Sequence, residues 1–449
     1  MKKTRLITLV ILISLLISAC DPKAWVKELI KDKRPNFLII VTDDQRYDTM
    51  QYMPQTQQKI FDQGVTFDHG YITTPLCCPS RVSILTGKYA QHTNVKNNGM
   101  VNYNRTFIED FQKNGYYTGL VGKYLNFWKG ESRPEFDYWV SYFKGESTYI
   151  NPPLNVNGVW REHLGYITDI LGTYSISFVE DAVAQRKPWI LLYTPIAPHE
   201  PAVPDFQDLD LYTDLEPYRP PSFNEADVSD KPDWFKTKEL LTEEEIAKID
   251  TFRREQILCM VSLDRAIGKL IDRLEDKGAL DNTVIIFLSD NGKFWGEHRI
   301  SSKNSFYEEA IKVPFAIRYP PLIPEAYTES RMVANIDIAP TIYDLAKIKP
   351  PSDMDGVSLV PLLTGTDNWR DSLLIEGWPP RGIFAALHTE KYVYAETLGD
   401  KTEFYDLEND PYEMENLAYD PAYADMVAEF HDRLALVKEP EGVPTPIPD

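Results

Sequence analysis

Four short apolar stretches along the chain each lead into polar residues. They cover residues 36–41, 116–121, 189–193 and 284–288. Their length and β-branched content are typical of buried strands. The polar residues that follow are Asp43-Asp44, Gly122-Lys123, Pro198-His199 and Ser289-Asp290-Asn291-Gly292. Because the carboxyl ends of strands in open α/β sheets line the ligand crevice, we expect these residues to form one site.

Segments with the apolar spacing of helices lie between the strand-like stretches. The clearest apolar stripe, spaced three and four residues apart, is Met260, Leu263, Ile267, Leu270 and Leu274. Gly278 follows as the expected residue beyond the helix end, and we interpret this helix as core packing. Segment 204–234, rich in Pro, Asp and aromatic residues, predicts either an insertion loop near the crevice or a plain surface loop.

The pattern changes beyond Gly356. Short strand-like stretches cover 383–386 and 391–395, and a helical stretch covers 421–437. We therefore predict an α/β catalytic domain over 35–365 and a smaller C-terminal α+β subdomain over 366–449.

The N-terminus has the pattern of a targeting segment. Basic residues precede an apolar run over 6–17 that is too short to span a membrane comfortably. The run ends in Ser18-Ala19-Cys20, which resembles a bacterial lipobox. We predict a signal peptide over 1–19, lipidation of Cys20, a tether over 20–34 and a periplasmic or cell-surface lipoprotein anchored in a membrane. An uncleaved signal anchor is the alternative.

Charge and cysteine content narrow the function classes. The 449 residues carry a formal net charge of -21, which disfavours a nucleic-acid partner and is typical of a soluble surface. An anionic substrate would need local positive groups. The four cysteines include Cys20, and its acylation would leave an odd three, which does not suggest a disulfide framework.

The stretch 75–88 carries the most specific chemistry. It places Cys77 before a short predicted helix and Arg81 one turn later. A helix N-terminus with a nearby guanidinium favours a sulfate or phosphate group. The same pattern also fits a thiolate of low pKa or a vicinal pair of Cys77 and Cys78.

Residues 77–81, Cys-Cys-Pro-Ser-Arg, followed by Leu85-Thr86-Gly87 resemble the signature of formylglycine-dependent (type I) sulfatases. That resemblance implies an alkaline-phosphatase-like mixed sheet flanked by helices. It also implies a maturation enzyme that oxidises Cys77 to formylglycine. Further motifs appear in the family's order, at Asp43-Asp44, Gly122-Lys123, Pro198-His199, Ser289–Gly292, Lys303 with Tyr307-Glu308-Glu309, and residues 404–411.

A metal site follows from the oxygen donors among these residues. Side chains of this kind suit a hard cation, Ca²⁺ before Mg²⁺, rather than zinc. The donors are Asp43, Asp44, Asp290 and Asn291. Turns or helix caps are the structural alternative. By resemblance, the hydrated aldehyde made from Cys77 completes the ligand set.

The resemblance also implies the catalytic roles. The metal and Arg81 would favour an ionised aldehyde hydrate that attacks sulfur and gives a covalent sulfated intermediate. Lys123 and Lys303 would hold the sulfate oxygens, and His199 would protonate the departing sugar oxygen. Surface lysines and a structural loop histidine are the alternatives.

One departure from the family pattern lies after Lys123. Many sulfatases have a histidine two residues later, whereas this chain continues Tyr124-Leu125-Asn126. This variant resembles the branch of N-acetylglucosamine-6-sulfatases and extracellular heparan endosulfatases. Asn126 and His298 are candidate substrate-binding residues, and a pocket-wall or structural role is the alternative for His298.

The sequence therefore predicts a sulfatase that acts on a carbohydrate sulfate ester, with 6-O-sulfated N-acetylglucosamine as the favoured substrate. A phosphonate or phosphate ester hydrolase of the same superfamily is one alternative. An inactive lipoprotein that binds sulfated glycans is another, but a binding protein has no use for the full set of nucleophile, cations and acid.

Overall fold

The computed structural model describes residues 34–99, 105–379 and 382–438. The predicted signal peptide over 1–19, the lipidation site Cys20 and all but the last residue of the predicted tether lie outside this part of the chain. Among the helices it contains, none combines the length and apolar character needed to cross a membrane.

The strands of the described residues are, in chain order, β1 (Asn36–Thr42), β2 (Val65–Phe67), β3 (Gly70–Tyr71), β4 (Tyr117–Gly122), β5 (Tyr138–Ser141), β6 (Pro153–Val156), β7 (Val159–Glu162), β8 (Trp189–Thr194), β9 (Thr283–Ser289), β10 (Phe315–Arg318), β11 (Tyr327–Glu329), β12 (Val333–Ala334), β13 (Ser372–Gly377), β14 (Phe384–Thr389), β15 (Tyr392–Thr397) and β16 (Glu403–Asp406).

The α-helices of the same residues are α1 (Pro54–Lys59), α2 (Cys77–Thr86), α3 (Ala90–Thr93), α4 (Phe107–Lys113), α5 (Ile167–Gln185), α6 (Asp233–Lys236), α7 (Glu243–Asp276), α8 (Glu308–Ile311), α9 (Ile338–Ala346), α10 (Val360–Leu363) and α11 (Ala424–Val437). Short 3₁₀ helices cover Tyr47–Tyr52, Phe61–Gln63, Phe143–Gly145, Phe206–Asp208, Leu280–Asn282, Asn335–Asp337, Leu417–Tyr419 and Pro421–Tyr423.

A ten-stranded mixed sheet forms the core of the described chain, in the order β11-β2-β10-β9-β1-β8-β4-β5-β6-β7. The four apolar stretches predicted as strands are β9, β1, β8 and β4, which are neighbours and run parallel. Their carboxyl ends therefore meet at one edge, as expected for an open α/β sheet. The predicted fold class, a mixed sheet flanked by helices, is confirmed.

The side chains of β1 alternate between the two faces of this sheet and pack in the core on both. Phe37 and Ile39 pack in a cluster with residues of α2, α4 and α9. Leu38 and Ile40 pack in a second cluster with residues of α5 and α7. A strand buried on both faces is continuously apolar, which explains why its pattern was readable from the sequence.

Helix α7 is much longer than its apolar stripe indicated. It begins at a capping box formed by Thr242 and Glu245, and it ends just before Gly278, whose φ is +62°. The N-terminal half is mostly polar and only partly buried, so hydrophobic periodicity could not reveal it.

The C-terminal region contains the antiparallel sheet β13-β14-β15-β16. Helix α11 covers one face through Phe430 and Leu434. The other face packs against the catalytic body through Ile375 and Tyr405, close to Tyr307. The smaller α+β subdomain is thus present, while its boundary at residues 365/366 stays a prediction.

Segment 204–234 is not a plain surface loop. Ser222, Glu225 and Lys231 within it are buried. The Lys231 ammonium donates to the hydroxyl of Tyr405 at 3.0 Å and to the carbonyl of Glu413. The segment therefore packs between the catalytic body and the C-terminal sheet.

Gly122 provides a test of the tight packing at the carboxyl edge. Its φ is +123°, and a Cβ atom there would lie 2.0 Å from the carbonyl oxygen of Thr194. We expect Gly122→Ala to lower the free energy of unfolding by about 3 kcal/mol or more. Chemical denaturation measures this change. Gly158→Ala is the matched control, since Gly158 also has a positive φ but nothing within 4 Å; equal losses in both variants would contradict the expected clash.

Glu376 of β13 gives a pH-dependent prediction. Burial raises the pKa of Glu376 to about 8. Between the ordinary pKa near 4.5 and pH 8 the folded state binds the proton more tightly than the unfolded state, so stability falls as pH rises through this window. We expect Glu376→Gln to remove a destabilisation on the order of 3 kcal/mol at pH 8 and to have little effect at pH 4.5. Denaturation across pH measures it, with the exposed Glu390→Gln as control. A gain independent of pH would contradict the assignment.

Candidate active site

The polar residues that follow the parallel strands meet at the carboxyl edge of the sheet. Asp43 and Asp44 follow β1, Lys123 follows β4, and His199 lies beyond β8. Asp290 and Asn291 follow β9. The single site expected from the sequence pattern is therefore built from several distant chain segments.

Cys77 enters the site as the first residue of α2. Its side chain is fully buried, and its Sγ lies 3.6 Å from Asp43 Oδ1 and 2.7 Å from the Nζ of Lys303. Burial raises the pKa of the Cys77 thiol to about 12, so the unmodified side chain is a thiol at neutral pH. The raised pKa argues against a thiolate of low pKa at Cys77. Cys77 and Cys78 are both free thiols, so they do not form a vicinal disulfide.

Arg81 lies one turn along α2 and contacts residues that follow two different strands, β9 and β4. Its Nε donates to Asp290 Oδ2 at 2.7 Å, and one Nη donates to the Lys123 carbonyl at 3.1 Å. The other Nη lies 3.5 Å from Asp43 Oδ2 and has no hydrogen-bond partner among the described residues. That N–H is available for an anion.

Two lysines add to the positive charge that Arg81 brings to the site. Lys123 Nζ donates to Asp43 Oδ2 at 2.6 Å, and Lys303 Nζ donates to Asp44 Oδ1. Burial would lower the pKa of both ammonium groups, but the facing carboxylates outweigh it and raise both. Both lysines therefore stay charged and face the side chain of Cys77.

The carboxylates respond to these cations. Burial alone would raise the pKa of Asp43, but Lys123, His199 and Arg81 outweigh it and hold the value well below the usual range. Burial would also raise the pKa of Asp44, but the nearby cations, above all Lys303, outweigh it and lower the pKa to about 2. Asp43 and Asp44 are thus ionised at neutral pH.

The donor set fits a divalent cation. One ligand atom from each of Asp43, Asp44, Cys77 and His199 lies within 4.8 Å of the others. Asp44 Oδ2 and Asn291 Oδ1 are buried without a hydrogen-bond partner in the described part of the chain. Since an unpaired buried oxygen is costly, these atoms fit a site for a cation that prefers oxygen ligands.

His199 is oriented by backbone contacts. Its Nδ1 lies 2.7 Å from the carbonyl oxygen of Glu200, which only accepts, so Nδ1 carries the proton in this arrangement. The Nε2 atom lies 3.9 Å from Asp44 Oδ2, and the Tyr149 hydroxyl donates to the His199 carbonyl at 2.7 Å. The imidazole therefore presents Nε2 to the site.

The two candidate substrate-binding residues differ. Asn126 is buried, and its Oδ1 lacks a hydrogen-bond partner among the described residues. His298 is fully buried, with Nδ1 2.7 Å from Glu225 Oε2 and its ring 4.6 Å from that of Tyr307. These contacts favour the structural alternative for His298.

Lys293 is a buried cation of the site that sequence analysis missed. Its Nζ lies 3.8 Å from Asp44 Oδ2 and 3.3 Å from Glu200 Oε2. The available signal was its position directly after Gly292, at the end of a strand already assigned to the site.

Comparison with known proteins now identifies the family. Residues 35–348 match the family described as Sulfatase, and residues 296–440 match the N-sulphoglucosamine sulphohydrolase C-terminal family. This chain belongs to the sulfatase family. The resemblance drawn from residues 77–81 is thereby confirmed.

Individual relatives show which members of the sulfatase family this chain is similar to. It is 33% identical over 378 residues to human N-acetylglucosamine-6-sulfatase, covering 77% of this chain and 67% of that protein. It is 32% identical over 371 residues to an extracellular sulfatase SULF-1 homolog of Drosophila melanogaster, covering 77% of this chain. The chain spans only 33% of the length of that Drosophila protein.

A solved structure shares the fold across almost the whole described chain. It is a protein in complex with its substrate D-glucosamine-2-N,6-O-disulfate, with a TM-score of 0.80 and 26% identity. The match covers 90% of this chain and 97% of that one. The alkaline-phosphatase-like architecture expected from the family resemblance is confirmed.

The oxygen-lined centre predicts stabilisation by divalent cations. We expect Ca²⁺ added to chelator-treated protein to raise stability by about 2.7 kcal/mol at a hundredfold excess over Kd. Asp290→Asn removes a carboxylate from the centre and is expected to abolish most of this gain. Thermal unfolding with and without the ion measures it. Asp214→Asn, at an exposed loop position, is the control, and an undiminished gain in Asp290→Asn would contradict the site.

Proposed function

We propose that this protein is a sulfatase that hydrolyses the 6-O-sulfate ester of N-acetylglucosamine or of a closely related glycan sugar. The carrying observation is the convergence of three cations, Arg81, Lys123 and Lys303, on the buried side chain of Cys77. Three largely buried positive groups suit a tetrahedral anion whose charge redistributes during the reaction.

The reactive groups proposed for this centre are a formylglycine made from Cys77 by a maturation enzyme and one divalent cation. When present, they supply an oxygen nucleophile and positive charge beside it. Asp43, Asp44, Asp290 and Asn291 would hold the cation. Ca²⁺ is the favoured ion because it accepts many oxygen ligands in flexible geometry, with Mg²⁺ as the alternative.

The chain's own cations bind and orient the sulfate group. The free Nη of Arg81 and the ammonium groups of Lys123 and Lys303 face the Cys77 side chain from different segments. Their pairing with the aspartates holds each long side chain in place before the substrate arrives, which lowers the cost of ordering on binding.

His199 is the proposed acid for the departing sugar oxygen. The contact of Nδ1 with the Glu200 carbonyl leaves Nε2 to carry the transferable proton of the imidazolium form. Nε2 lies 3.9 Å from Asp44 Oδ2, so the imidazole borders the same centre and is placed to reach a substrate bound beside Cys77. Protonation of a poor leaving group is where a general acid contributes most.

The sugar assignment is supported by the relatives. Human N-acetylglucosamine-6-sulfatase and the protein solved with D-glucosamine-2-N,6-O-disulfate share a glucosamine sulfated at oxygen 6. The sequence variant after Lys123 supports the same branch.

We further propose that the mature protein is a lipoprotein of the periplasm or cell surface. The support is the apolar run over 6–17, which is followed by Ser18-Ala19-Cys20. An extracytoplasmic anchor would place the site among extracellular sulfated glycans.

Sulfate release tests the proposed function. Protein co-expressed with a formylglycine-generating enzyme would be assayed on sugars sulfated at oxygens 2, 3, 4 or 6, with matched phosphate esters. We expect release from the 6-O-sulfated sugar and none from Cys77→Ala. His199→Ala should lower kcat about 10²- to 10⁴-fold on sugar esters and far less on an activated aryl sulfate.

Peptide mass confirms the aldehyde in the wild-type protein. If aldehyde-bearing protein released only phosphate or phosphonate, the alternative hydrolase would replace the sulfatase assignment. If it turned over no ester and merely bound the sugars, the binding lipoprotein would replace it.

A further inference from the structure

A cleft of about 500 Å³ opens beside His199. This volume lies within the range of small-ligand sites. Its walls include Glu146 and Ser147 from one loop, His199 and Glu200 from another, and Phe252 from α7. The hydrogen bond from Tyr149 to the His199 carbonyl ties the first loop to the second. The cleft thus adjoins the residue proposed to protonate the leaving oxygen.

Lys293 fixes the carboxylate of Glu200 at this wall. The Lys293 side chain is only 3% exposed, whereas that of Glu200 is 58% exposed, and the two charged atoms lie 3.3 Å apart. The Lys293 Nζ also lies 5.5 Å from the ring centre of Phe252. A buried ammonium therefore orients an exposed carboxylate beside an aromatic face.

The charge of the cleft differs from the charge around Cys77, where the sulfate group is proposed to bind. Arg81, Lys123 and Lys303 concentrate positive charge around Cys77. In the cleft, Glu146 and Glu200 bring two carboxylates, and Lys293 behind the wall offsets one of them. An uncharged sugar that donates hydrogen bonds suits this environment, whereas an additional sulfate would meet a carboxylate.

We propose that Glu200, held by Lys293, determines which sugar the site accepts. Its carboxylate accepts a hydrogen bond from a hydroxyl or amide N–H of the leaving sugar while Phe252 packs against the ring. With Glu146 it disfavours a sugar that carries a second sulfate in the cleft. Glu200 is thus a specificity residue and Lys293 a positioning residue. This inference rests on the proposed function.

The test compares kcat/KM for 6-O-sulfo-N-acetylglucosamine with that for 2-N,6-O-disulfoglucosamine. We expect the wild-type protein to prefer the monosulfated sugar. Glu200→Gln should reduce that preference roughly five- to tenfold, mainly through the two KM values, because one unit of repulsive charge is lost. Glu325→Gln, at an exposed position outside the cleft, is the matched control.

Lys293 variants separate positioning from mere structural support. Lys293→Arg keeps the charge and should keep the wild-type preference. Lys293→Met leaves Glu200 uncompensated, so it should raise KM for both sugars and increase the preference for the monosulfated one. This change is opposite in sign to that in Glu200→Gln. A general structural defect would not give opposite signs.

Binding to the Cys77→Ala protein separates this inference from the proposed function. Calorimetry with N-acetylglucosamine and N-sulfoglucosamine should show tighter binding of the former, and addition of Glu200→Gln should reduce the difference. An unchanged preference in Glu200→Gln, in turnover or in binding, would overturn the role of Glu200. Absence of sulfate release together with the expected binding difference would overturn only the proposed reaction.

Discussion

The buried ion pairs at the carboxyl edge of the sheet are the constraint on which the site depends. Lys123 with Asp43, and Arg81 with Asp290, join the ends of β4, β1 and β9 to helix α2. A buried charge costs several kcal/mol unless it is paired. Each partner therefore fixes the other, and removal of either leaves an uncompensated charge inside the protein.

This pairing explains how one pocket holds both anionic and cationic groups. Asp43 and Asp44 remain ionised because the cations outweigh the effect of burial on their pKa values. The cations in turn are ordered before an anionic substrate arrives. Cys77 lies between the two sets, and burial leaves its thiol protonated at neutral pH.

The C-terminal sheet supports the segment that carries Lys303. Helix α8 follows that lysine closely, and Glu308 in it contacts His388 of β14 at 2.8 Å. Tyr307 donates to Glu403 of β16. The smaller subdomain therefore holds one wall of the site, so its packing and the position of a proposed sulfate ligand are linked.

The sequence by itself determined the strands that are apolar on both faces, the edge at which their polar successors meet, and the residue types around Cys77. These features are local, because strand burial and motif spacing are written in adjacent residues. It did not reveal the polar half of α7, the packing of segment 204–234, or the buried state of His298. Those depend on partners far along the chain, such as Glu225 for His298. Lys293 shows the same limit: only the tertiary structure brings Glu200 and Phe252 to it, because contacts between distant segments are set by packing rather than by local pattern.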